Sequence, residues 1–215
     1  MRSVFLVLLF AIPANAQDFT YRGFGEIQST IYAQTTPQDD QRVAVEARFR
    51  FEPAYSATDW LTLSGSMDAR LDTIDQVERS WRVDVLDRGV QRPALSVRDA
   101  RATIRKGMLS IAAGKQFIRW GKADILNPTD RFAPRDFLEV TDDEYLAVIG
   151  TRVQYERGLH TVDLIWVPVF TPSRIPLVGG RWAPVPPETS GGIGIVDREI
   201  RSGYSGFVFL TGVAR

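Results

Sequence analysis

Residues 42–52 alternate between apolar and charged side chains, and this alternation limits what the chain can fold into. Successive side chains of a β-strand point to opposite faces, so the pattern predicts a strand with one apolar and one charged face. The apolar face would carry Val43, Val45, Ala47, Phe49 and Phe51, and the charged face Arg42, Glu46, Arg48, Arg50 and Glu52. In a soluble sandwich the apolar face meets a core, whereas in an outer-membrane barrel it meets lipid and the charged face lines a wet lumen. This strand by itself is compatible with both folds.

The same alternation recurs along the rest of the chain and predicts an all-β fold. No segment keeps a helical periodicity over three turns, so period two is the dominant signal. The predicted strands cover residues 19–33, 42–52, 60–71, 95–105, 108–119, 146–156, 160–170 and 202–213.

The connections between the predicted strands are alternately short and long. Outer-membrane barrels have short periplasmic turns and longer outside loops, so this order is typical of them. Residues 80–85 also alternate, but a membrane strand there would break the order, so we assign them to the second long connection. The pattern predicts an antiparallel up-and-down transmembrane β-barrel with about eight strands present. The short connections are 53–59, 106–107 and 157–159, and the long ones are 35–41, 72–94, 120–145 and 171–201.

The N-terminus has the three parts of a secretory signal. Arg2 provides the positive region, residues 4–12 provide the apolar run, and Ala14–Ala16 provides a small-residue cleavage site. We expect a signal peptide at residues 1–16 and the barrel at residues 17–215. The apolar run is too short to span about 30 Å of hydrocarbon.

Composition excludes some classes of chemistry and of partner. The chain has no cysteine, which excludes disulfides and thiolate sites. Its 26 basic and 26 acidic residues give no net field that would attract nucleic acid. A secreted chain without cysteine is typical of a Gram-negative envelope. The predicted localisation is the bacterial outer membrane.

Residues 99–177 resemble a family of outer-membrane proteins. The segments Gly114–Gly121 and Asn127–Asp130 resemble the G-(R/K)-Q-x-x-x-W-G … N-P-x-D pattern of porin-like and alginate-export-like Gram-negative outer-membrane barrels. The segment Trp166–Phe170 resembles the W-x-P-x-F stretch that follows this pattern.

The resemblance implies an outer-membrane channel or export barrel of about 400 residues, as the number of strands requires. On that expectation the chain is the N-terminal portion of a longer barrel, and the barrel formed by this portion is incomplete. Complete barrels of this kind end on an aromatic residue, whereas this sequence ends with Arg215. The implied partners are outer-membrane lipid, the barrel-assembly machinery and a small polar solute, with oligomerisation left open.

The charged faces predict a slightly cationic lumen, which favours small polar and anionic solutes. The 120–145 connection is predicted to fold into this lumen as a constriction, and a loop on the outer surface is the alternative. The predicted lumen-lining residues are Arg42, Glu46, Arg48, Arg50, Asp68, Arg70, Asp99, Arg101, Arg105, Arg152 and Glu156. The predicted constriction residues are Lys122, Asp124, Asp130, Arg131, Arg135 and Asp136.

Two other classes of function compete with the channel. One is a soluble periplasmic β-sandwich or small barrel that binds a ligand, and the more distant one is an envelope barrel hydrolase. A hydrolase would need His160, the only histidine, to meet a serine such as Ser110 or Ser202. We therefore predict that the protein is a porin-like channel and not an enzyme, and we predict no cofactor and no metal.

Overall fold

The computed structural model describes residues 2–10, 18–35, 40–119, 133–139, 144–177, 181–182 and 207–213. These residues form strands, turns and connections without helices, which confirms the predicted all-β class. Within this part of the chain no helix is long and apolar enough to cross a membrane. The strands are β1 Arg2–Phe10, β2 Phe19–Ile31, β3 Val43–Thr58, β4 Leu61–Asp72, β5 Val83–Asp84, β6 Leu95–Lys106, β7 Leu109–Gln116, β8 Arg135–Asp136, β9 Glu144–Tyr145, β10 Val148–Arg157, β11 His160–Trp166 and β12 Phe207–Val213.

One ten-stranded sheet contains all of these strands except β8 and β9. Its order is β1-β2-β3-β4-β6-β7-β10-β11-β12, and every neighbouring pair along this path is antiparallel. The short strand β5 pairs in parallel with β6, and β8 pairs with β9 in a separate two-stranded sheet. The ten-stranded sheet is not closed into a barrel.

The eight predicted strands correspond to β2, β3, β4, β6, β7, β10, β11 and β12. The residues from 80 to 85 lie in a connection, as expected, and contribute only the two-residue strand β5. The segment Arg2–Phe10, where the sequence predicts part of a signal peptide, pairs with β2 at one edge of the sheet. The signal peptide itself stays a prediction.

The first short turn lies later in the chain than predicted. Strand β3 continues through Pro53 to Thr58, and the chain turns at residues 59–60 instead of over the whole of 53–59. Pro53 pairs in register with Tyr21 of β2, but the β3–β4 register has no paired residues between Phe51 and Ala54. A proline has no N–H to donate to a neighbouring strand, so the interruption lies where the sequence requires it.

The long strands give the sheet two unlike faces. On β3 and β4 the apolar face is open, with Phe49 50% exposed and Met67 46% exposed. The opposite face, which we call the charged face, is covered, and Arg50, Asp68 and Arg70 are each 7% exposed or less. The apolar face includes Ile27, Phe49, Phe51, Leu63, Met67, Leu71, Leu164 and Trp166.

The two ends of the sheet differ in their connections. Short turns join β3 to β4, β6 to β7 and β10 to β11 at one end, which we call the short-turn end. Gly107 and Gly158 in two of these turns have φ values of 58° and 62°, in the left-handed region that glycine tolerates best.

At the opposite end, the long-connection end, parts of three long connections lie against the charged face, around Arg92, Glu144 and Arg174. Trp81 of the 72–94 connection instead lines a shallow pocket on the apolar face with Phe49 and Leu71. A small apolar cluster of Ile118, Val148, Ile165 and Val167 also lies at the long-connection end.

Candidate functional site

Cross-strand pairing brings charges of both signs together at the centre of the charged face. Arg50 of β3 lies opposite Asp68 of β4, and its Nε and Nη2 donate to the two carboxylate oxygens at 2.6 and 2.7 Å. Such a two-point contact between a guanidinium and a carboxylate is both strong and specific in geometry. Arg48 of β3 lies directly opposite Arg70 of β4. Like charges in that position repel each other, so this pair needs an anion nearby.

Glu144 of β9 supplies that anion from a different part of the chain. Its carboxylate accepts hydrogen bonds from Arg48, from Arg50 at 3.3 Å and from Arg70 at 2.5 Å. Burial by itself would raise the pKa of Glu144, but the guanidinium groups of Arg70, Arg48 and Arg50 outweigh burial and hold that pKa well below its usual range. Glu144 is therefore an anion that connects β9 to two strands of the sheet.

A second set of ion pairs joins the long connections to one another. Asp136 of β8 accepts from Arg92 at 3.1 Å and from Arg174 at 3.0 Å. Arg174 also donates to Asp87 at 3.0 Å, and Asp87 pairs with Lys115 of β7. Burial would raise the pKa of Asp136, and the two arginines instead hold it below its ordinary value. Three connections and the sheet are thus joined through buried charges.

The two sets of ion pairs form one continuous network. Glu46 joins them, because it accepts from Arg70 at 3.2 Å and from Arg92 at 3.0 Å. Buried charges are tolerated when they are paired and hydrogen-bonded, which this network provides. The cations of this network are Arg48, Arg50, Arg70, Arg92, Lys115 and Arg174, and the carboxylates are Glu26, Glu46, Asp68, Asp87, Asp136 and Glu144.

A wide open groove continues along the charged face toward the short-turn end. Its volume is about 460 Å³, and polar and apolar side chains line it together. Arg98, Asp99 and Arg101 of β6 contribute to its wall, and Arg22 and Glu52 form an ion pair on its far side. A groove of this size accommodates a small organic solute.

The predicted lumen-lining residues fall into two groups on the charged face. Glu46, Arg48, Arg50, Asp68 and Arg70 belong to the buried network. Nearer the short-turn end the side chains are more open. There Asp99 accepts a hydrogen bond from Ser66, and Arg152 forms an ion pair with Asp163. Arg101 donates a hydrogen bond to Ser64 at 3.2 Å. Arg105 and Glu156 are exposed, and so is Arg42 at the long-connection end.

The predicted constriction is described only in part. Lys122, Asp124, Asp130 and Arg131 lie outside the described residues. Arg135 and Asp136 form β8, and β8 pairs with β9, which carries Glu144. The described end of the 120–145 connection therefore lies against the charged face.

Sequence reasoning missed several members of the network. Glu144 appears in the sequence as one of three consecutive acidic residues, and Arg92 and Arg174 as isolated cations in long connections. A single sequence carries no signal for these contacts, because Glu144 and Arg48 are 96 positions apart. Asp87 and Lys115 were missed for the same reason.

The positions of the single histidine and of the candidate serines bear on the hydrolase alternative. His160 begins β11 and is exposed. Ser110 lies on β7, and strand β10 separates β7 from β11. Ser202 lies outside the described residues. Within the described ranges no group of three or more metal-binding side chains comes together. Comparison of the chain with protein-family models, with curated proteins and with solved structures finds no match.

Proposed function

We propose that the chain is the N-terminal part of an outer-membrane, porin-like channel for small polar solutes, with a preference for anions. The observation that carries this proposal is the inverted sheet, in which apolar side chains are exposed and charged side chains are buried. Soluble proteins distribute these side chains the other way round. The inversion is what a strand needs when it meets lipid on one face and a polar interior on the other.

The apolar face supports lipid as its partner. Large apolar side chains such as Phe49, Met67 and Leu164 cover neighbouring strands, and contiguous apolar surface of this kind is rare on soluble monomers. A periplasmic sandwich would need a second sheet over this face. Among the described residues the only other sheet is the β8–β9 pair, and it lies on the opposite face, where Glu144 contacts Arg48.

The buried network supports a narrowed passage. In a closed barrel the charged face would line the interior, and segments attached to it would reduce the cross-section. Glu144 attaches the end of the 120–145 connection to this face through three ion pairs with arginines of β3 and β4. Asp136 joins the same connection to Arg92 and Arg174 of two other long connections. These contacts support a constriction formed by this connection.

The open groove supports a preference for anions. Arg101 contacts only a serine hydroxyl, and the structure gives Arg105 no ion pair among the described residues. The network contains equal numbers of cations and carboxylates, so the short-turn end supplies the cations that attract a solute.

The test is to purify the native protein from outer membranes and to measure its conductance in planar bilayers under a salt gradient. We expect a heat-modifiable membrane species and a reversal potential that indicates anion selectivity. The double substitution Arg101→Gln and Arg105→Gln should move the reversal potential toward zero, because it removes two unpaired cations. A soluble periplasmic product would contradict the membrane proposal, and cation selectivity would contradict the proposed solute class.

A further inference from the structure

A small cavity lies where the long connections meet the charged face. Its volume is about 30 Å³, which is room for a particle of the size of one or two water molecules. Four arginines line it, together with four carboxylates. The arginines are Arg70, Arg92, Arg98 and Arg174.

One of the four arginines in the cavity wall has no ion pair with a described residue. The network described above contains equal numbers of cations and carboxylates joined by ion pairs. Arg98 lines the cavity but belongs to none of these ion pairs. Within the described part of the chain its close contact is with the ring of Phe117, at 4.5 Å from the ring centre. A cation in a partly buried position without a carboxylate partner favours an added anion.

A second arginine of the cavity wall, Arg92, has a buried nitrogen that makes no hydrogen bond to a described residue. Arg92 is 1% exposed, and its Nε and Nη1 donate to Asp136 and Glu46. Its Nη2 is buried and makes no hydrogen bond to any described residue. A buried donor of a charged group that makes no hydrogen bond costs stability, so a ligand that accepts from it is favoured.

We propose that this cavity binds one small monovalent inorganic anion, of the size of chloride, between Arg92 and Arg98. The anion accepts a charge-assisted hydrogen bond from each guanidinium and gives Arg98 an anionic partner in direct contact. The size of the cavity selects halides over carboxylates and phosphates, which are too large for it. The site stabilises the contact between the long connections and the sheet, and it does not depend on whether the protein conducts solutes.

The experiment measures thermal unfolding of the full chain in detergent micelles at constant ionic strength. Sodium chloride replaces sodium gluconate stepwise, because gluconate is too large for the cavity. We expect a saturable rise of Tm with chloride. Arg98→Gln should weaken the apparent chloride affinity about tenfold or more, which is a loss of about 1.4 kcal/mol. Arg82→Gln is the matched control, since Arg82 is an exposed arginine that lines neither this cavity nor the open groove, and it should keep the saturable rise.

A Tm that is the same in both salts, or a saturable rise that persists in Arg98→Gln, would overturn the proposal. A second measurement on the unchanged protein covers the case in which Arg98→Gln does not fold. Crystals soaked in sodium bromide should give an anomalous scattering peak between Arg92 and Arg98. No peak there, with both side chains ordered, would equally overturn it.

Discussion

The Glu144 carboxylate faces three guanidinium groups, so its removal leaves uncompensated charge at the centre of the charged face. We predict that Glu144→Gln lowers the free energy of unfolding by about 3 kcal/mol, because it leaves the buried network with one uncompensated cation. Arg48, Arg50 and Arg70 keep their other carboxylate partners. The directly opposed Arg48 and Arg70 would then repel each other. Urea denaturation of the protein in lipid vesicles measures this loss.

The stability that Glu144 contributes should decrease at acidic pH. The pKa of Glu144 is lower in the folded protein than its ordinary value of 4.5, so its contribution is fully present above that value. The contribution is lost as the pH falls through the lowered folded pKa. The difference in stability between the unchanged protein and Glu144→Gln should therefore be constant near neutral pH and shrink below about pH 4.5. Glu156→Gln is the control, and this exposed glutamate should change stability by no more than about 0.5 kcal/mol at any pH.

At the scale of strands and turns, two glycines allow the cost of a left-handed backbone to be separated from the cost of a steric clash. Gly114 of β7 has φ of 125°, and a Cβ there would lie 2.3 Å from the carbonyl oxygen of Ala100. Gly107 has φ of 58°, and a Cβ there would have nothing within 4 Å. We predict that Gly107→Ala costs about 1 kcal/mol, the cost of a left-handed conformation, and that Gly114→Ala costs clearly more because strand β6 must move. If both substitutions lower the free energy of unfolding in urea by the same amount, the close contact between β7 and β6 at Gly114 is contradicted.

The strands could be predicted from sequence because their signal is local. The alternation in 42–52 and its repeats indicated eight of the nine described strands of seven residues or more, and the order of short and long connections indicated which of these eight are neighbours. The ninth is β1, where the sequence predicts a signal peptide. The predicted end of β3 was wrong because Pro53 was assigned to a turn, whereas in the sheet Pro53 lies inside the strand. The ion pairs of Glu144 and Arg174 could not be predicted, since they join connections whose positions depend on the whole fold.

At the scale of the molecule, the exposed apolar face allows the membrane proposal to be tested. Met67 lies near the middle of β4 on this face and is half exposed. We predict that Met67→Arg costs about 2–4 kcal/mol in lipid vesicles, because under the proposed function it places a charge at membrane depth. Thr62→Arg, on the charged face of the same strand, should be tolerated. If Met67→Arg folds as well as the unchanged protein, the apolar face does not meet lipid.

The order of the strands has a consequence for how such a chain is made and how it evolves. Nearly every strand of the large sheet lies beside its neighbours in the sequence, so no strand has to be threaded between two others. Each new hairpin finds its docking edge already formed, and the sheet can assemble in the order of synthesis. Gain or loss of one hairpin then changes the width of the sheet without altering any other pairing. Sheets of this kind can therefore be lengthened or shortened two strands at a time.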